Sequence, residues 1–327
     1  MTTPTLFLSV LTCGGLLAAD TPAAKTPPPQ VYLTVEAAGQ EYLQQGEFRG
    51  EHIGANIINL GSGKFHLVFF NGGLPGESWD KTNKTDLDGN REGDSVVFKG
   101  AAWNGELKGQ TLKLMQVGPT QYNAATFTLT RIERHSPTEG LAAPAGAVVL
   151  FDGKSADQWT KTKMDDRGWL ACGGRSVKKF KDYTLHLEFY LPLKPSARGQ
   201  GRANSGVYNQ DRYEVQVLDS FGLKGLDNEC GGIYQQYAPL VNMCYPPLQW
   251  QTYDIDFTAA RFDADGKKST NAFITVRHNG VLVQDHVSLK HTTPSSGINT
   301  ETDTPGPLYL QEHGNPVYYR NIWVLEK

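Results

Sequence analysis

The chain has 327 residues, with 31 Lys and Arg against 34 Asp and Glu for a formal net charge of -3. Its length suggests two domains at roughly 150 residues each, and the near balance of charge argues against nucleic acid or an anionic membrane surface as a partner. Glycine (35) and proline (18) are plentiful and no long 3.6-residue periodicity appears, which favours short strands joined by tight turns over helices.

The chain opens on an apolar run, Leu6, Phe7, Leu8, Val10, Leu11, Leu16 and Leu17, closed by the small residues Ala18 and Ala19. Residues 1–19 therefore read as an export signal, although no Lys or Arg precedes the run. The run is too short for a stable membrane span, so the expectation is an exported protein, periplasmic or extracellular. Cys13 would leave with the signal. Residues 20–30, rich in Pro and Ala, read as a disordered spacer.

Residues 31–135 form a β-rich domain in which Ala55 to Leu60 and Lys64 to Phe70 flank Gly61-Ser62-Gly63 as a hairpin. Strands are expected at Ser95–Lys99, Thr111–Gln116 and Thr126–Ile132. Trp79, Trp103 and the turn Gly72 to Gly76 fit a glycan surface, and fit core packing equally well. Asp86-Leu87-Asp88-Gly89-Asn90, and later Asp263-Ala264-Asp265-Gly266, resemble calcium loops but lack Gly at the sixth position and a closing Glu, so both read as turns. Asn83-Lys84-Thr85 is formally a glycosylation acceptor. Residues 136–146, with Pro137 and Pro144, read as a linker.

Residues 147–327 open with Val148 to Phe151 and continue with Tyr183–Tyr190, where Tyr183, Leu185, Leu187 and Phe189 alternate with Thr184, His186, Glu188 and Tyr190. Phe273 to His278 and Val281 to Gln284 flank Asn279-Gly280, whose residues accept the positive φ of a type I′ turn. Many short strands with no helical run between them make the fold all-β, with a C-terminal sandwich or jelly roll. Cys230 and Cys244 would close a loop of about 15 residues in an oxidising compartment, a constraint of about 3 kcal/mol. The competing reading is buried free thiols.

On the strand Tyr213–Val217, alternation turns Glu214 and Gln216 away from Tyr213, Val215 and Val217, and Asp219 follows. A carboxylate and an amide on an otherwise aliphatic strand need a reason. Asn204-Ser205-Gly206-Val207, Tyr213 through Ser220, Trp250-Gln251-Thr252-Tyr253-Asp254, Asn279 through Val283 and Leu310 through Val317 stand in order over about 180 residues. In these blocks the C-terminal part resembles the 3-keto-disaccharide hydrolase family of concanavalin-like jelly rolls. Glu-x-Gln-x-x-Asp and His-Gly-Asn-Pro-Val carry most of the resemblance.

The resemblance implies cleavage at C1 of a sugar oxidised to a ketone at C3. The ketone acidifies the C2 hydrogen, a base removes it, and the leaving group departs from C1 by β-elimination; water addition gives net hydrolysis. Such chemistry needs a base, an acid at the leaving oxygen and donors at the C3 oxygen. His313 is the expected proton-transfer residue, because imidazole as a side-chain type titrates near neutrality, with Glu214 as second acid-base or metal ligand and Asp219 beside it. One divalent ion held by Glu214 and Asp219 is a further possibility, its identity open. Substrate contacts are expected from Gln216, Gln311, Arg202, Asn204, Tyr208, Trp250 and Arg320, with a surface or core role as the competing reading for the arginines and aromatic residues. Two other functions stay open: a retaining glycoside hydrolase, whose Glu-x-Asp-x-x-Glu strand has similar spacing but needs two matched carboxylates, and a non-catalytic carbohydrate-binding module.

Overall fold

The computed structural model describes residues 30–118 and 124–327; the expected export signal lies outside them. Among the described residues no helix is long and apolar enough to cross a membrane. Thr34 accepts from the Ala37 amide and opens the short helix α1 (Val35–Ala38), followed by α2 (Gln40–Leu43). Both pack on the later sandwich, Ala38 and Tyr42 joining Tyr190, Leu193 and Leu248 in one small core.

Eight antiparallel strands then run up and down as a closed barrel: β1 (Gly46–Gly50), β2 (Ile53–Asn59), β3 (Lys64–Asn71), β4 (Lys84–Glu92), β5 (Ser95–Lys99), β6 (Trp103–Lys108), β7 (Thr111–Gln116) and β8 (Thr126–Ile132). β8 pairs with β1 through Phe48 opposite Arg131 and closes the ring, leaving no free edge. Alternation sends Ile53, Ala55 and Ile57 inward to meet Phe65, Leu67, Phe98 and Leu129, so the barrel is filled by its own side chains. The Asp86 to Asn90 segment, expected to be a turn, is part of β4. Leu87 points into the barrel while Asp86 and Asp88 face out and bracket the His66 ring at 3.1 and 2.9 Å.

The second half is a two-sheet sandwich. One sheet has the order β10 (Trp159–Thr160), β12 (Arg175–Phe180), β21 (Gly306–Leu310), β14 (Ser205–Asn209), β15 (Tyr213–Val217). The other has the order β11 (Leu170–Ala171), β22 (Tyr318–Glu326), β13 (Tyr183–Tyr190), β16 (Trp250–Thr258), β19 (Ala272–His278), β20 (Val281–Leu289), with β9 (Val148–Phe151) also on β22. A hairpin, β17 (Arg261–Phe262) with β18 (Lys268–Thr270), turns at Asp263 to Gly266 as expected. Asn279 and Gly280 have φ of 50° and 79°, joining β19 to β20 in the positive-φ turn that Asn-Gly predicts. Leu185, Leu187, Phe189, Val207, Val215, Val217 and Leu310 are fully buried between the sheets.

Barrel and sandwich share that core, since Ile58, Val68, Phe70 and Leu74 of the barrel pack into it. Gly222 permits the approach: a Cβ there would lie 2.3 Å from Cδ1 of Ile58. The 136–146 segment does not run free over its whole length. Ser136 Oγ lies 2.6 Å from Thr252 Oγ1, Thr138 Oγ1 donates to Asp254 at 2.7 Å and the Gly140 amide donates to Glu188 at 2.6 Å. Residues 136–140 are thus fastened to the outer face of the larger sheet, while 144–146 are exposed.

Candidate active site

β14 and β15 pair antiparallel, Gly206 opposite Gln216 and Tyr208 opposite Glu214. Val207, Val215 and Val217 enter the core, so Tyr208, Glu214 and Gln216 project from the outer face of the smaller sheet. There they meet two loops, 199–204 before β14 and 311–317 after β21. Gln200, Asn204, Glu214, Gln216, Gln311 and His313 line one small cleft together with Tyr234 and Ser295.

Glu214 forms the floor and is only 3% exposed. Burial raises its carboxyl to about 7, against a partly offsetting hydrogen bond from Tyr208. The Tyr208 phenol, itself raised by burial and by Glu214, stays protonated and donates to Oε2 at 2.8 Å. Gln311 Nε2 donates to the same Tyr208 oxygen at 3.1 Å, and Gln311 Oε1 is buried with no partner. Gly206 makes the space: a Cβ there would lie 2.2 Å from Glu214 Oε1. Across the cleft, Gln216 Nε2 donates to Asn204 Oδ1 at 2.8 Å and Asn204 Nδ2 to Gln200 Oε1 at 3.0 Å, a relay of amides that fixes this wall.

His313 is exposed at the rim. Its loop is tied back through Asn315, whose Nδ2 donates to the His313 carbonyl at 2.8 Å and whose Oδ1 accepts from the buried Lys194. Lys194 Nζ also donates to the Gly201 carbonyl at 2.7 Å. One ammonium therefore spans both loops that carry cleft residues. Gln200, Tyr234, Ser295 and Lys194 were not singled out in the sequence. They come from loops with no periodic signal, and only Asn315 stood inside a quoted block.

Several expected site residues lie elsewhere. β15 ends at Val217 and the chain turns, so Asp219 is buried against Arg202, whose Nε donates to it at 2.7 Å. Burial, opposed by Arg202, raises the Asp219 carboxyl. Arg202 also reaches the Asn59 carbonyl of the barrel at 3.5 Å, so this pair belongs to the domain boundary. Glu214 and Asp219 consequently do not converge as ligands for the expected divalent ion, and among the described residues no three His, Cys, Asp or Glu side chains gather as a metal site. Trp250 and Arg320 sit on the outer face of the other sheet. Trp250 packs on Trp169 and Tyr190, with Arg320 stacked over it and donating to Glu188 at 2.6 Å.

The expected cystine is two thiols. Cys230 Sγ lies 3.1 Å from Tyr253 Oη, and Cys244 Sγ donates to the Leu218 carbonyl at 3.5 Å. Burial, with the neighbouring Cys230 adding to it, raises the Cys244 thiol, and both side chains are small, buried members of the core.

The fold and the cleft together define a two-sheet jelly-roll protein, fused to a small barrel, with one acid and one imidazole among amide side chains. The family described as 3-keto-alpha-glucoside-1,2-lyase-like domain matches residues 146–325, and the chain belongs to it. The barrel lies outside that match. A crystal structure from Parabacteroides distasonis ATCC 8503, described as a "putative glycosyl hydrolase", is 35% identical over 57% of this chain and 85% of its own, with a TM-score of 0.52. A second structure from the same organism, described in the same words, is 19% identical over 56% of this chain and 94% of its own, with a TM-score of 0.40. No curated protein matches the chain.

Proposed function

We propose that the chain is a carbohydrate-active enzyme that cleaves the glycosidic bond of 3-keto glycosides by C2 deprotonation and β-elimination. The observation that carries this reading is Glu214: a carboxyl titrating at about 7 on the floor of the cleft, with no second carboxylate lining it. Ordinary retaining hydrolysis needs two carboxylates about 5 to 5.5 Å apart, whereas elimination next to a ketone needs one acid and one base of any type. Family membership and the similarity to a described glycosyl hydrolase support a glycosidic substrate.

His313 takes the C2 hydrogen as a proton, and the electron pair left behind forms the enediolate with the C3 carbonyl. The enediolate collapses, the C1–O bond breaks with its electron pair on the leaving oxygen, and that oxygen takes the proton of Glu214. The product is a 1,2-unsaturated keto sugar; water adding at C1, with a proton returned to C2, gives net hydrolysis. Burial keeps Glu214 protonated up to about neutral pH, which suits an acid at the leaving group. The unpartnered Gln311 Oε1 is an acceptor for a sugar hydroxyl, and the hydroxyls of Tyr234 and Ser295 are available to the C3 oxyanion.

The test is incubation of the chain with the 3-keto and unoxidised forms of the same disaccharides, with products followed by NMR. Cleavage of the keto form alone is expected, falling as pH rises through about 7 as Glu214 loses its proton. Comparable turnover of the unoxidised glycoside overturns the mechanism. A Glu214→Gln variant should fail on alkyl glycosides by at least about 100-fold yet recover on a 3-keto glycoside with a nitrophenyl leaving group, which needs no acid.

A further inference from the structure

A second cleft lies between barrel and sandwich and shares no residue with the first. Along β2, Ala55 and Ile57 point into the barrel, so Asn56 and Ile58 point out toward the sandwich. Asn56 lines the cleft, is 4% exposed, and its Oδ1 has no hydrogen-bond partner. A buried amide oxygen left unpaired is destabilising, and a ligand hydroxyl in the cleft would satisfy it. Trp79 forms a wall, packed on Phe70 at 4.9 Å between centroids, with its Nε1 already donating to the Asn83 carbonyl at 3.0 Å. With its only polar atom satisfied, the indole offers the cleft an apolar ring surface.

The charge of the cleft is one-sided. Lys81, Lys84 and Lys224 line it and no Asp or Glu does. Among the described residues Lys81 and Lys224 form no ion pair, and Lys84 has only a 3.9 Å approach to Asp86. We infer that this cleft is a second saccharide site, selective for a sugar chain carrying carboxylates: a ring against Trp79, hydroxyls to the Asn56 amide, and carboxylates to the lysines. A purely apolar ligand would leave Asn56 unpaired and the lysines unmatched. A free inorganic anion would make no use of the indole. The site gives the barrel a role as the element that holds acidic glycan beside the jelly roll.

The experiment is titration of the full chain with a galacturonic acid tetrasaccharide, and with cellotetraose as its neutral counterpart, by calorimetry and by tryptophan fluorescence. The acidic chain should bind at least tenfold tighter, and increasingly weakly as salt is added. Trp79→Ala, and separately the double variant Lys81→Ala with Lys224→Ala, should each weaken it at least tenfold, the double variant also flattening the salt dependence. Asn56→Leu should weaken binding with the far-ultraviolet circular dichroism unchanged. Glu214→Gln and His313→Ala should bind as the parent does, which separates this site from the cleavage reading. No binding at millimolar tetrasaccharide, equal binding of cellotetraose, indifference to Trp79→Ala, or loss in the Glu214→Gln variant each overturns the inference.

Discussion

Tyr208 Oη lies 2.8 Å from Glu214 Oε2, and among the described residues it is the one side chain that hydrogen-bonds this carboxyl. A single donor does not offset near-complete burial, and the group sits at about 7 instead of 4.5. The folded state therefore holds a proton between pH 4.5 and about 7 that the unfolded chain has lost. Stability falls as pH rises through that window and is flat above it, by about 3 kcal/mol if the whole shift counts. Glu214→Gln removes the ionisation. Urea denaturation should find the variant more stable than the parent at pH 8 and level with it at pH 4.5. Equal stabilities at both values would mean that Glu214 is not held protonated by its surroundings.

Gly206 sets the room that Glu214 occupies. A Cβ would lie 2.2 Å from Oε1 and 2.9 Å from Cδ, both in a flexible side chain, so Gly206→Ala should fold with a stability loss of about 1 to 3 kcal/mol. Turnover should fall by about 100-fold, because a displacement of roughly 1 Å at the acid is enough. The crystal structure of the variant should show Glu214 in another rotamer. Unchanged turnover with a moved carboxyl would remove Glu214 from the chemistry.

How far the sequence reaches is clearest along β15. Alternation placed Glu214 and Gln216 on one face, the quoted motifs brought Asn204, Gln311 and His313 to the same cleft or its edge, and Tyr208, named as a substrate contact, stands beneath it on Glu214. Alternation stops where the strand stops, which is why Asp219 and Arg202 ended in a boundary ion pair. Trp250 and Arg320 failed for another reason: period 2 assigns a face but cannot say to which of two sheets a strand belongs. The barrel was legible as hairpins and strands, with β5, β7 and β8 at their expected limits. Its closure rests on Glu47 to Arg49 pairing with Thr130 to Ile132, a contact over some eighty residues with no local signature. β4 read as a turn because Asp86-Leu87-Asp88-Gly89-Asn90 resembles an incomplete calcium loop; in the barrel its aspartates alternate with inward Leu87 on a solvent-facing strand.

The relocation of Asp219 has its own consequence. Asp219→Asn leaves Arg202 buried without its counter-charge, which should cost about 3 to 5 kcal/mol. Turnover per folded molecule, measured well below the lowered melting temperature, should stay within about fivefold of the parent. A loss of 100-fold or more in folded protein would return Asp219 to the reaction.

Lys194 should act by positioning. Its hydrogen bonds to Gly201 and Asn315 tie the amide wall to the His313 loop, and burial lowers its pKa. Lys194→Met removes a partly desolvated charge, so stability should change little. Both loops lose their common anchor. The keto substrate should show a lower kcat with a smaller change in KM, and the His313 ring resonances should broaden or shift in NMR spectra. A loss of melting temperature with kcat intact would make Lys194 a purely structural residue.

The division of labour between His313 and Glu214 is testable through the C2 hydrogen. If His313 removes it, the enzyme should exchange that hydrogen with deuterated water, or show a primary isotope effect on cleavage when C2 carries deuterium. His313→Ala should abolish exchange and cleavage together while binding the keto sugar within roughly tenfold of the parent, since the lost interaction belongs mainly to the transition state. Glu214→Gln should behave differently. It keeps the base, so exchange should persist while cleavage of alkyl glycosides stops, because only departure of the leaving oxygen needs the acid. The opposite pattern, exchange lost in Glu214→Gln and kept in His313→Ala, would make the buried carboxylate the base; in that case cleavage should rise through about pH 7 instead of falling. Normal cleavage by His313→Ala would leave the imidazole as a rim residue without a part in proton transfer.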